Sequence, residues 1–295
     1  MNVSLPIDVC MFGPFALRRG GASVSLNISG KTLDILRYLI VHAHRPLRRE
    51  RLADIFWCDS SEDRRRSALN SALWRIRGAL TPLGGFEIWS RGGAVGLNLG
   101  PEVKVDVIEL SAAFEAATAD GPGREAAEVR LAHALDNCEA PFLDGASEEW
   151  AIVEQEKFFE LRMRGLGLLM RRAGKARRCE DAIGYGIRLL AEDPFREWVH
   201  CEMMWLYVLS GRRAKALAQY EACASLLAEE LAIEPMAELR ALYNHIRADA
   251  AAPEADAPPP APTRPGAPLG RIDRVLGAIE RERFEVYDAL CEQFP

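Results

Sequence analysis

Over residues 64–80 the chain reads RRRSALNSALWRIRGAL, and Leu69, Ala72, Leu73, Ile76 and Leu80 recur there at helical spacing. At about 100° per residue these five share one face. Arg64, Ser67, Asn70, Ser71, Trp74 and Arg75 fall on the other. The pattern predicts a half-buried helix whose outer side carries guanidinium, amide and hydroxyl groups, one indole and no carboxylate. Such an inventory serves contacts to phosphates and base edges. Either Ser60, with Asp63 three residues on, or Ser61 can cap the start. A solvated arginine-rich face would read the same in isolation, so the neighbouring elements decide.

Upstream, the runs 7–12, 15–19 and 24–28 are short and rich in β-branched or alternating apolar residues. Gly13-Pro14 and Gly20-Gly21 separate them as turns, which predicts a small antiparallel sheet. A helix over 31–44 places Leu33, Leu36, Leu39 and Ile40 inward and stops at Arg45-Pro46. A second helix, 49–57, buries Leu52, Ile55 and Phe56. Beyond Gly84-Gly85, residues 86–90 and 94–99 flank Arg91-Gly92-Gly93 and read as a hairpin. Sheet, three helices and hairpin together make a winged helix, which sets its third helix in the major groove and its hairpin along the backbone.

From residue 106 the strand signals stop. Helices are predicted over 106–119, 124–138, 147–173, 177–192, 195–209, 212–232 and 236–249, with breaks at Gly121-Pro122-Gly123, Pro141, Gly174, Pro194, Gly211 and Pro235. Ala182, Tyr185 and Leu189, then Asp193-Pro194, are followed about 34 residues later by Ala216, Tyr220 and Leu227, a tetratricopeptide-type spacing. Met203, Met204, Trp205 and Tyr207 read as core. Residues 251–270 are an Ala/Pro tether. It leads to an amphipathic helix over 271–291, with Ile272, Val275, Leu276, Ile279, Val286 and Leu290 as its stripe. That helix is expected to dock on the chain's own helical domain or on a partner protein. The fold class is therefore mainly α. A winged-helix domain (1–105) precedes a helical-repeat domain (106–250), the linker (251–270) and the terminal helix (271–295).

Composition sharpens this picture where it is uneven. The net charge of −6 argues against a nucleic-acid binder, yet residues 1–105 hold 15 Lys and Arg against 9 Asp and Glu, a net +6. The remainder carries −12, and a basic head on an acidic body suits one module that meets DNA and one that does not. The seven cysteines stand singly with no CxxC pair, as reduced thiols of a cytoplasmic protein do, and the five histidines form no ligand cluster. No metal, cofactor, signal peptide or membrane span is expected. Ser29-Gly30-Lys31-Thr32 imitates the end of a phosphate-binding loop, but Ser25 stands where that loop needs its first glycine. Lys31 reads instead as a strand-to-helix turn residue within reach of a DNA phosphate. No Gly-x-Ser-x-Gly elbow occurs, and no catalytic set is found.

Several long stretches in order resemble the SARP-type bacterial transcriptional activators, a response-regulator-like winged helix followed by a bacterial transcriptional activator domain. LNISGKTLDILRYLIVHAHRPLRRERLADIFW is similar to the first two helices of that winged helix, and RRRSALNSALWRIRGAL to its recognition helix. APFLDGASEEWAIVEQEKFFELRMRGL and SGRRAKALAQYEACASLLAEELAIEPMAELRALY resemble the second domain more closely still. The resemblance spans about residues 5–248, and neither a receiver domain nor an ATPase domain is expected beside them. It implies a sequence-specific activator that binds double-stranded promoter DNA at direct repeats, two molecules head to tail, and recruits RNA polymerase holoenzyme. It also implies Arg64, Ser67, Asn70, Ser71 and Arg75 as the groove-facing set and Arg91 as the wing-tip contact. Lys31, Arg48, Arg49, Arg65 and Trp74 complete the expected DNA-binding residues. Trp74 stands where the family has a small or polar residue; its indole can contact a thymine methyl or sugar or fold back on the hairpin near Trp89, and packing or a shared role is favoured over pure base reading. The alternative function is a helical-repeat interaction scaffold whose winged helix has lost DNA.

Overall fold

The computed structural model describes residues 5–251 except 120, 122 and 147, with side chains to residue 248. The Ala/Pro tether and the amphipathic helix expected over 271–291 lie outside the described residues. The chain opens with strands β1 (Ile7–Cys10), β2 (Ala16–Arg19) and β3 (Ala22–Val24), then α1 (Lys31–Val41). Next come β4 (Leu47–Arg48), α2 (Arg49–Trp57), α3 (Glu62–Leu80), β5 (Phe86–Arg91), β6 (Ala94–Leu99) and β7 (Val103–Val105). Helices follow: α4 (Asp106–Thr118), α5 (Arg124–Asp136), α6 (Glu149–Lys175), α7 (Cys179–Glu192), α8 (Glu197–Leu209), α9 (Arg213–Leu231) and α10 (Ala237–Ala251). The fold is mainly α, with small sheets confined to the N-terminal part.

Two of the sheet expectations need correction. The first sheet is not purely antiparallel: its order is β3-β2-β1-β7, and β7 runs parallel to β1. Residues 24–28 are not the third strand. Gly20 and Gly21 both take positive φ, so a two-residue hairpin puts Ala22 opposite Arg19, and pairing ends at Leu17 with Val24. The second sheet joins the hairpin β5–β6 to the two-residue β4, too short to leave a periodic signal. The first helix closes at Val41, three residues early, because His44 turns to φ 65 and donates its N–H to Leu97 O at 2.8 Å.

Strand β1 stops at Cys10 for a reason that also ties the N-terminal part to the helices. The N–H groups of Met11 and Phe12 donate to Asp106 Oδ2 at 2.7 and 2.9 Å instead of to a neighbouring strand, and Val107 N–H donates to Asp106 Oδ1. Around this carboxylate the loop at 11–13 pairs with 141–144, so the PFLDG stretch makes a short backbone clasp. Phe12 meets Phe142 and Phe158 edge-on, with centroids 6.1 and 6.0 Å apart. The Arg162 guanidinium lies over Phe12 and donates to Glu139 O and Glu192 Oε1, which pairs its buried charge. Elsewhere, Tyr38 of α1 and Phe56 of α2 close on Trp150 of α6.

Burial pushes the Asp106 carboxyl up to about 6, against the opposing pull of its three backbone N–H partners. The folded state therefore holds this proton more tightly than the unfolded chain does. Its contribution favours folding at low pH and is lost as pH rises from about 4 through 6. Relative to Asp106→Asn, the wild type should gain about 1 kcal/mol of stability between pH 7 and pH 5. Parallel melting profiles of the two proteins across that range would contradict this.

In the helical region Ala182, Leu189, Ala216 and Leu227 are buried in the stacked consecutive helices α6 to α9, at the positions the repeat spacing selects. Met203 and Met204 are core, whereas Trp205 and Tyr207 are only half-buried. Tyr220 stacks on Tyr243 of α10. His200 is buried and neutral: its Nε2–H donates to Pro194 O, and Nδ1 accepts from the Gln219 amide. No helix among the described residues is long and apolar enough to cross a membrane.

Candidate nucleic-acid interface

Helix α3 buries Leu69, Ala72, Leu73, Ile76 and Leu80, the whole of the stripe that the spacing selects. These residues lean on α1 and α2, which fixes the rotation of the helix about its axis. Arg64, Ser67, Asn70, Ser71, Trp74 and Arg75 consequently face solvent. Ser61 is the cap, though its hydroxyl makes no capping bond, and Glu62 and Asp63 in the first turn complement the helix dipole. Beyond that turn no carboxylate occurs on α3. Among the described residues Arg64 and Arg75 make no ion pair or hydrogen bond.

The expectation that Trp74 packs on the hairpin is overturned. Its indole is 75% exposed. On the hairpin Trp89 packs against Gly96 of the paired strand, where a Cβ would sit 2.4 Å from the ring. The Arg91 guanidinium covers Trp89 at 5.2 Å from the ring centre. Gly92 and Gly93 both take positive φ, giving the tight turn that lets Arg91 and Ala94 pair at the wing tip.

Other expected contacts divide into two groups. Lys31 donates to Phe56 O at 2.8 Å and rests near the Trp57 ring, so it closes the C-terminal end of α2 and stands apart from the cluster on α3. Arg65 pairs with Asp54 and braces α3 on α2. Arg48 sits in β4, paired with Ala94 beside the wing tip. Arg49 is the junction: it donates to Asn70 Oδ1 on α3 and to Ser90 Oγ on β5, and its own N–H bonds Gly93 O at 3.0 Å. A cleft of about 400 Å³ opens there between α3 and the wing, lined by Arg49, Arg66, Asn70, Arg77, Ser90 and Arg91 among others, with no carboxylate in its lining.

Known proteins bear directly on this arrangement. Residues 105–247 match the family model of the bacterial transcriptional activator domain. The transcriptional regulatory protein MoaR1 of Mycobacterium bovis is 27% identical over 251 residues, covering 80% of this chain and 78% of that protein. The chain is similar to SARP-type bacterial transcriptional regulators, through that domain and these relatives. The regulatory protein AfsR of Streptomyces griseus is 27% identical over 81% of this chain, which spans 24% of AfsR's length. The fold matches that of Mycobacterium tuberculosis EmbR, solved in complex with a low-affinity phosphopeptide. The TM-score is 0.66 at 23% identity, over 83% of this chain and 66% of EmbR.

Three residues that line the cleft carry no expectation from the sequence: Arg66, Arg77 and Ser90. Arg66, Asn70, Leu73 and Arg77 follow one another at spacings of four, three and four, a second helical stripe along the border of the buried face. That spacing was a readable signal. Ser90 carried none, because only the hairpin brings it across to Arg49.

Proposed function

We propose that this chain is a SARP-type, sequence-specific DNA-binding activator, without catalysis, working in the cytoplasm. In this reading α3 enters the major groove of duplex promoter DNA and the wing follows the backbone. Two molecules sit head to tail on direct repeats, and the helical region recruits RNA polymerase holoenzyme. The observation that carries it is the solvent face of α3, where Arg64, Trp74 and Arg75 stand unengaged by the described residues, beside a cleft lined by four arginines. Exposed guanidinium groups without carboxylate partners keep their full attraction for phosphate.

Genome-wide mapping of bound DNA, followed by titration of the recovered duplex at several salt concentrations, tests this reading. Affinity should fall steeply with salt, and Arg64→Ala should weaken all sequences alike while lowering the salt slope by about one. Absent or salt-independent duplex binding would instead favour the interaction scaffold.

A further inference from the structure

We infer that the cleft between α3 and the wing is a seat for one DNA backbone phosphate, and that Asn70 is the positioning residue of that seat rather than a reader of bases. The inference rests on the DNA-binding reading above and adds a division of labour within it.

An asparagine that reads adenine uses both ends of its amide, the oxygen accepting from N6–H and the nitrogen donating to N7. In Asn70 the oxygen is already held by Arg49, which fixes the plane of the amide toward the cleft. A guanidinium only donates, so the amide atom facing Arg49 must be the oxygen, and one of the two Oδ1 lone pairs is taken. Ser90 is oriented in the same way. Its hydroxyl lies 3.5 Å from Ala94 O, to which it donates, leaving its lone pairs to accept from Arg49. Two of the five guanidinium N–H groups of Arg49 are thereby spent on holding its plane, and three remain. No carboxylate among the described residues pairs with Arg49, so none of them meets its charge.

The surroundings fit a phosphate and not a base edge. Arg66, Arg77 and Arg91 converge on the same cleft, and Arg66 alone has an acidic partner, Glu62, on an exposed side chain where the pair is weak. Arg77 Nε bonds Ile88 O at 3.3 Å, which holds it against the wing strand. One lining residue comes from the start of α2, three polar ones from α3 and two from β5, so the seat exists only when helix and wing are in register. A fixed planar fork of this kind can donate to two oxygens of a tetrahedral phosphate at once. The seat sets how deep α3 sits, and base discrimination is left to Ser67, Ser71, Trp74 and Arg75 on the free face.

Binding of full-length protein to its duplex, and to duplexes altered one base pair at a time, decides the matter, with melting curves confirming that each variant is folded. Arg49→Ala should weaken every duplex by roughly 10- to 100-fold and lower the salt slope by about one. Asn70→Ala should weaken all duplexes by a common factor, and the double variant should be no weaker than Arg49→Ala within about twofold. Arg49→Lys, which keeps the charge and loses the fork, should fall between wild type and alanine. If Asn70→Ala erases discrimination at a single base pair, or if the two alanine losses multiply, Asn70 is a reader and the inference falls. Saturable binding of inorganic phosphate that Arg49→Ala abolishes, with duplex binding untouched, would assign the cleft to a free anion and overturn it too. Wild-type protein that binds no duplex at low salt overturns the DNA reading itself.

Discussion

Trp150→Ala should cost about 3–5 kcal/mol of folding stability, the usual loss when a buried large aromatic is truncated. At roughly 2–4 °C for each kcal/mol, the melting midpoint should drop by on the order of 10 °C. Trp150 is 9% exposed, and its ring meets Tyr38 edge-on at 5.3 Å and Phe56 at 6.2 Å, so one side chain of α6 holds α1 and α2 together. Loss of the indole opens a void between Tyr38 and Phe56, which themselves stand edge-to-face at 5.9 Å. Trp150→Phe should be far milder. The indole Nε1–H is buried without a hydrogen-bond partner among the described residues, so phenylalanine removes an unsatisfied donor while giving up part of the ring. Equal melting of wild type and Trp150→Ala would mean that the aromatic cluster is not what joins the two regions.

That cluster shows where sequence reading runs out. The stripe Leu69, Ala72, Leu73, Ile76 and Leu80 was legible because a helix packed on one side repeats its burial every three to four residues. The helical region was legible for the same reason, with Pro and Gly marking its breaks. Periodicity says which face is buried, not what it is buried against. Tyr38, Phe56 and Trp150 lie far apart in the chain, and so do Arg49, Asn70 and Ser90; only the fold brings them together. Strands β4 and β7, with two and three residues, are too short to alternate visibly. Asp106 could be read as a first-turn acid of a helix, but its grip on Met11 and Phe12 could not. The error over Trp74 came from a sound average: large aromatics are mostly covered, and this one is not.

The exposed indole and its neighbour give the second large effect. Arg75→Ala should lower affinity for the cognate site by about 1–3 kcal/mol and relax preference at the base pair it faces, with little change for unrelated duplexes. Arg75 makes no hydrogen bond or ion pair among the described residues, so its removal should leave the melting midpoint where it was. Trp74 stands beside it, with Ser71 three residues before and Gly78 four after, both small and both exposed. Among the described residues the ring stays 75% exposed, and an indole left in water contributes little to folding until another surface meets it. Trp74→Ser should therefore keep stability within about 0.5 kcal/mol and shift the preferred site, as loss of an apolar contact to a thymine methyl would. A lower melting point with an unchanged site preference would return Trp74 to the core of the fold. A uniform loss across all duplexes for Arg75→Ala would make that arginine a phosphate contact like Arg64, and base reading would then have to reside in Ser67, Ser71 and the indole.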